Sequence, residues 1–521
     1  MGVAPALSSF ESTYGRSSEC FEHIICFLDS GKGSSMDMSQ LEKELEKRGR
    51  ELMRTLLQES LDKRSPGKIS ELVLDADGIR RTERPGQERE IETVFGRVSL
   101  SRMGYAEKGR RSLHPLDGEL NLPPDLYSLE LQHRVAEEAA KNSFEEVVAT
   151  IDKTTGGHVP KRQAEEVAKR SARDFDAFYQ MRQCHASEEK TTGTGSILTI
   201  TADGKGVVLH EKDLREQTRK AAEKRRQKMG KRLSKGEKKN AKRMATVAAV
   251  YTTSPFERTP EDLLSEGGSR INKMKCPPIE NKRVWASLEK MPEEVIVEAF
   301  TEAENRDPKH DKTWVGLVDG NNTQINILKK IAKAKGIELT IIVDIIHVIE
   351  YLWEAGRAFH PKSGPELEKW VQHRLKKILE GKAGHMAGGM RRSATRKKLS
   401  PKERASVDKC ATYLLNKSPY LRYDRYLADG LPIATGVIEG ACRHLVKDRM
   451  EITGAKWGLQ GAESVLRLRA LRASKDFDKY WLFHEECEYK RNHQDHYADG
   501  VVPATKNSRP AQRKPKLRVI K

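Results

Sequence analysis

The spacing of apolar positions changes character several times along this 521-residue chain, and the changes divide it. Residues 1–37 are rich in Ser and Gly and are expected to be disordered, with one apolar patch, "FEHIICFL". "MSQLEKELEKRGRELMRTLLQESLDKR" has helical spacing and alternating charge, which predicts a long exposed helix. "REIETVFGRVSLSRMGYAEKG" alternates with period two and predicts a strand pair turning at Gly96. Residues 129–173 then read as three helices. Ser143 and Glu146 can form a capping box on the second, "TTGG" interrupts, and Pro160 opens the third. This stretch closes a helical and hairpin region expected over 38–190.

From residue 191 the pattern turns to strands. "SILTITA" runs into Asp203, "GVVLH" follows a Gly-rich turn, and "ATVAAVYTTSP" is a third strand. A helical stretch is expected over "NKRVWASLEKMPEEVIVEAFTEAE". Strand "TWVGLVDG", helix "TQINILKKIAKAKG" and strand "ELTIIVD" follow. The order predicts an α/β unit over 191–345 with five strands. Residues 346–432 read as all-helical, broken by a Gly/Lys/Arg-rich loop, "GKAGHMAGGMRRSATRKKLSPKER". Helices return over 433–500, and a basic, Pro-containing tail expected to be disordered occupies 501–521.

Composition adds a partner. The net charge is +19 with 33% charged residues, which favours a polyanion, nucleic acid being the commonest; the bland alternative is a solubilising surface. The charge concentrates in 211–243, where it is one-signed and not alternating, as in an arm that tracks phosphates. Lys161, Arg162, Lys169 and Arg170 lie on or near the third helix of 129–173. This is the layout of a helix-turn-helix with a basic recognition helix, or of an ordinary bundle with a charged face. No run approaches a membrane span and no secretory leader is legible, which implies a cytoplasmic protein. The seven cysteines form no CxxC pair and read as reduced thiols.

Acids stand where the pattern changes. Asp203 ends the first strand, Asp319 the fourth, and Glu439 opens a helix after the long helical stretch. Each alone has a bland reading, since Asp-Gly after a strand is commonly a turn. Together they resemble the carboxylate cluster with which two divalent cations are held for phosphodiester cleavage. Asp344 ends the fifth strand, with His347 three residues on, and competes with Asp319 for one place.

"TADGKGV", "WVGLVDG", "VDIIHVIEYLWEAGRAF" and "GVIEGACRHLVKDRMEITGAKWGLQGAESVLRLRAL" resemble bacterial insertion-sequence DDE transposases of the ISKra branch, relatives of the Mutator-like transposases. The likeness spans about residues 90–490. It implies an RNase H-like core, a mixed five-stranded sheet with flanking helices, interrupted by an all-α insertion before the Glu. It implies Asp203, Asp319 and Glu439 as catalytic, metal-holding acids for two Mg²⁺ ions (or Mn²⁺), and Asp344 with His347 as a supporting motif. It implies DNA partners, namely the element's terminal inverted repeats and target DNA, with a homodimer on paired ends, in the bacterial cytoplasm with the nucleoid. Arg443 and Lys447, at i+4 and i+8 from Glu439, would neutralise the scissile strand or simply be solvated. Trp457 would stack on an unpaired base or fill the core. A non-catalytic DNA-binding derivative and a nuclease without strand transfer are the rival readings.

In a sheet of that type the fourth strand adjoins the first, and the fifth lies one strand further out, roughly 10 Å from the first. Asp319 is therefore expected to share a cation with Asp203. Asp344 is expected at the N-cap of the following helix, where a carboxylate accepts backbone N–H bonds.

Overall fold

The computed structural model describes residues 14–185, 194–224, 241–264 and 276–506. The chain divides into two compact units, Met1–Phe178 with Phe477–Lys521, and Tyr179–Asp476.

In the first unit a helix over Gly15–Asp29 replaces most of the disorder expected for 1–37; residues 1–13 lie outside the described residues. Phe27 is buried, and the Arg16 amide donates to the Glu59 carboxylate of helix Met38–Arg64 at 2.9 Å. Strands β1 (Thr82–Thr93) and β2 (Gly96–Ala106) pair antiparallel, with Gly96 at φ 119° closing the turn as its position suggested. Helices Leu129–Lys141, Phe144–Thr154 and Lys161–Ser171 follow, the second with the Ser143–Glu146 capping box. Their buried faces, Leu131, Val135, Ala139, Val147, Ile151, Ala164 and Val167, keep the helical spacing that predicted them.

The last helix, Phe477–Asn492, also belongs to this unit, so 433–500 is not one continuous piece of the strand-bearing unit. Its His484 is buried and lies 2.7 Å from Asp174. Arg491 and Arg173 bind the same acids, Asp174 and Glu488, so the charge there is already balanced. Of the tail expected to be disordered, residues 501–506 are held, with the Lys506 amide donating to the Lys68 carbonyl at 3.0 Å, and residues 507–521 lie outside the described residues.

The second unit is built on a mixed five-stranded sheet of order β5-β4-β3-β6-β7. Its strands are β3 (Ile197–Val208), β4 (Lys242–Thr253), β5 (Glu280–Ser287), β6 (Thr313–Val318) and β7 (Leu339–Val343). β3–β4 and β4–β5 run antiparallel; β3–β6 and β6–β7 run parallel. The count of five stands, but its composition differs from the expectation. "SILTITA" and "GVVLH" are one strand, because "DGKG" stays extended and pairs with β4 throughout. At Gly206 a Cβ would meet the Lys242 side chain, its Cδ at 2.9 Å, so a larger residue there would displace the lysine. The missing strand is β5, drawn from the front of the stretch expected to be helical; the helix itself starts at Pro292. Arg283 of β5 turns inward and, with Arg306, binds Glu302 of helix Pro292–Arg306. Burial alone would raise the Glu302 pKa; the two guanidiniums hold it at about 2.

Between β7 and Glu439 the chain is helical, over Ile345–Phe359, Pro365–Leu379, Ala383–Arg396, Pro401–Asn416 and Tyr423–Ala428. The third of these corrects the expected loop. Ala383, Ala387, Met390 and Ala394 form one buried face, so small residues pack the helix closely despite its glycines. Of the basic segment 211–243, Glu216–Glu223 is helical and residues 225–240 lie outside the described residues. Among the described residues no helix is long and apolar enough to cross a membrane.

Candidate active site

Strand register places the acids. β3 and β6 pair Thr201 with Leu317, so two residues further along stand Asp203 and Asp319. β6 and β7 pair Val318 with Val343, so the next residues are Asp319 and Asp344. Three aspartates on three adjacent parallel strands therefore share one level at the carboxyl ends of β6 and β7. Ligands of open α/β sheets characteristically bind at such ends.

Each carboxylate is held differently. Asp344 is fully buried and caps helix Ile345–Phe359, accepting the Ile346 amide at 2.9 Å as its position foretold. Its other oxygen accepts the Thr435 hydroxyl. Asp319 is half-buried; its Oδ1 accepts the Asn321 amide at 2.7 Å and its carbonyl accepts the Tyr413 hydroxyl at 3.1 Å. The Tyr413 bond ties the helical insertion to the end of β6. Asp203 is half-buried and accepts the Gly204 amide at 2.6 Å on one oxygen and the Cys442 thiol at 3.2 Å on the other.

Glu439 lies on the short helix Gly436–Ala441, its amide donating to the Thr435 carbonyl at 3.0 Å. Ligand atoms of Asp344, His347 and Glu439 lie within 4.8 Å of one another. The structure thus brings Glu439 to Asp344 and His347, and leaves Asp319 outside that group of three. Partial burial, then the Asp344 carboxylate, hold Glu439 above the ordinary carboxylate range; Glu350 and Asp203 add to the rise and His347 opposes it. Burial, then Asp203, push the Cys442 thiol far up, so it remains an S–H donor.

The donor set fits a divalent cation. Asp203, Asp319 and Asp344 are bonded only by neutral groups, and none of the four acids forms an ion pair with Lys or Arg among the described residues. Carboxylate oxygens with one imidazole are suitable ligands for such a cation.

The remaining expected site residues are dispersed. Lys161 pairs with Glu145, Lys169 with Glu166 at 2.7 Å, and Arg170 with Asp125, while Arg162 is exposed. Arg443 and Lys447 are exposed, as is Glu439, but lie in a π-helical turn, Cys442–Lys447, which breaks the 3.6-residue phase assumed for them. Trp457 is buried, its indole N–H donating to the Met450 carbonyl at 3.0 Å, so the core role holds its ring. Sequence reasoning missed Thr435 and Cys442. A threonine opening the Glu439 helix and a cysteine at i+3 were the available signals.

No protein-family model matches the chain, and no curated protein matches it.

Proposed function

We propose that the chain is a DDE-type transposase of a bacterial insertion sequence, cutting DNA at the element's ends and joining it to target DNA with Mg²⁺ or Mn²⁺. One observation carries the reading: Asp203, Asp319 and Asp344 share one level of the sheet, and Glu439 returns to it after a 91-residue detour from Asp344 to Thr435. The strand order β5-β4-β3-β6-β7 and the all-helical insertion before the Glu agree with an RNase H-like core. The net charge of +19 suits a DNA partner.

In this reading Asp344, His347 and Glu439 would hold one cation, and Asp203 and Asp319 would complete the set. A bound divalent cation supplies the positive charge against which attack on a phosphodiester develops. The protein positions: the Asp344 carboxylate is held by its cap, that of Asp319 by the Asn321 amide, and that of Asp203 by Cys442, so the carboxylates need little rearrangement. The helices of 129–171 recognise the element's ends, and two chains act on paired ends in the cytoplasm, with the nucleoid.

Incubating the full chain with DNA carrying the element's ends, target DNA and Mg²⁺ tests this. Nicks at the ends followed by joined products are expected. Cleavage without joining would make the protein a nuclease, and binding without cleavage a transposase-derived DNA-binding protein.

A further inference from the structure

Glu439 is the site's outlier, since it comes from neither the sheet nor the helix that begins at Asp344. Something must fix it relative to acids on β3 and after β7. Two side-chain bonds stand on either side of it. Four residues before it, the Thr435 hydroxyl donates to the Asp344 carboxylate. Three residues after it, the Cys442 thiol donates to the Asp203 carboxylate at 3.2 Å.

The distances match. Asp203 and Asp344 are separated by two strand spacings, about 10 Å. Thr435 and Cys442 are seven residues apart, about 10.5 Å along a helix. The segment is therefore long enough to reach from one aspartate to the other. At its first end, the Ile345 amide donates to the Ile433 carbonyl at 3.0 Å, so backbone reinforces the hydroxyl bond. Thr435 occupies the N-cap position but does not cap with its side chain; the hydroxyl is spent on Asp344 instead. At the other end, Cys442 is buried and begins the π-helical turn. Such turns cost hydrogen-bond geometry and recur at functional sites.

We infer that Thr435 and Cys442 are positioning residues, a two-point clamp that fixes the Glu439 helix between Asp344 and Asp203. The inference rests on the metal-dependent reading above and deepens it. Neither residue touches substrate; each acts through an aspartate. Both side chains donate one hydrogen bond to an oxygen that keeps a free lone pair, so they orient the carboxylates without neutralising them.

The test uses the full chain with Thr435→Val, Thr435→Ser, Cys442→Ala and Cys442→Ser. Mn²⁺ binding is read from the electron paramagnetic resonance of the free ion. Hydrogen exchange of residues 436–447 is followed without metal, and single-turnover cleavage is measured with DNA ends. The Val and Ala variants should bind Mn²⁺ about tenfold or more weakly, as other outer-sphere losses do. Their cleavage rate should fall at unchanged apparent affinity for DNA, and 436–447 should exchange faster. The two Ser variants keep a donor and should recover wild-type behaviour. Unchanged Mn²⁺ affinity in Thr435→Val and Cys442→Ala, or no recovery with Ser, overturns the clamp. If the wild type binds no Mn²⁺, the metal-dependent reading fails instead. Exchange then decides the clamp alone: faster exchange in Val and Ala but not Ser supports it, and identical exchange overturns it.

Discussion

Asp319 and Asp344 follow adjacent strands at one level of the sheet, and of the two it is Asp344 that is grouped with Glu439. Strand distance from Asp203 favours Asp319, since β6 adjoins β3 and β7 does not. The deciding element is the Glu439 helix, which is tied at its start to Asp344. Both acids therefore have a claim, on different grounds, and substitution separates them.

Asp319→Asn should abolish cleavage while leaving DNA binding intact. Asp344→Asn keeps an oxygen for the Ile346 amide and so keeps the cap, but removes a charge beside Glu439. Its Mn²⁺ affinity should fall further than that of Thr435→Val, since in the proposed set Asp344 is itself a ligand. His347→Ala should weaken binding less and slow cleavage. Metal titration of the three variants checks this; an Asp344→Asn chain with wild-type affinity would remove Asp344 from the site.

Glu439 gives a stability signature. Its folded pKa is raised by partial burial and Asp344, so the folded chain holds that proton more tightly than the unfolded one. Its contribution is favourable below the ordinary glutamate range and is lost as pH rises through the raised value. Without metal, Glu439→Gln should therefore melt at a higher temperature than wild type at pH 7. The gap should close below about pH 4, and Mn²⁺ should reverse the order. Calorimetry across pH decides it; equal Tm values at pH 7 would contradict the electrostatics.

Away from the site, Glu302 sits between Arg283 and Arg306 with its pKa held at about 2. Here the stability is present above the ordinary glutamate value and lost as pH falls toward about 2. Glu302→Gln leaves two buried guanidiniums poorly paired and should cost about 3–5 kcal/mol at pH 7, read by urea unfolding. A loss below about 1 kcal/mol would mark the network as solvent-screened.

On the helix Lys161–Ser171, Arg162 is exposed, while Lys161, Lys169 and Arg170 are already engaged by acids. Arg162→Ala should therefore weaken binding to DNA ends more than Lys169→Ala. If Arg162 meets a phosphate, the salt slope should fall by about one. Footprinting and salt titration check it; equal effects would place recognition elsewhere.

Periodicity carried much of the fold. The capping box at Ser143, the hairpin at Gly96, the cap at Asp344 and the helical insertion all follow from local patterns. Errors came where a local signal was outweighed by partners distant in sequence. Gly204 and Gly206 read as a turn, yet β4 pairs with them and holds the backbone extended. "NKRVWAS" carries charges that mask a strand, since Arg283 enters the interior only because Glu302 awaits it. "GKAGHMAGGMRR" looks like a loop until an alanine face finds its neighbours. At the site, the acids were legible as punctuation. Their grouping was not, because it depends on Thr435 and Cys442, whose partners lie 91 and 239 residues away.

The first unit is closed by the chain's last long helix, where His484 meets Asp174 and Trp481 packs against His133 with rings 4.6 Å apart. Synthesis must therefore pass through the whole of Tyr179–Asp476 before the N-terminal helices acquire their final partner. During that interval His133 and Asp174 lack the partners they have in the finished unit. A chain that ends just short of Phe477 keeps every residue of the sheet-bearing unit and lacks the helix that completes the first, so truncation there strikes the first unit alone.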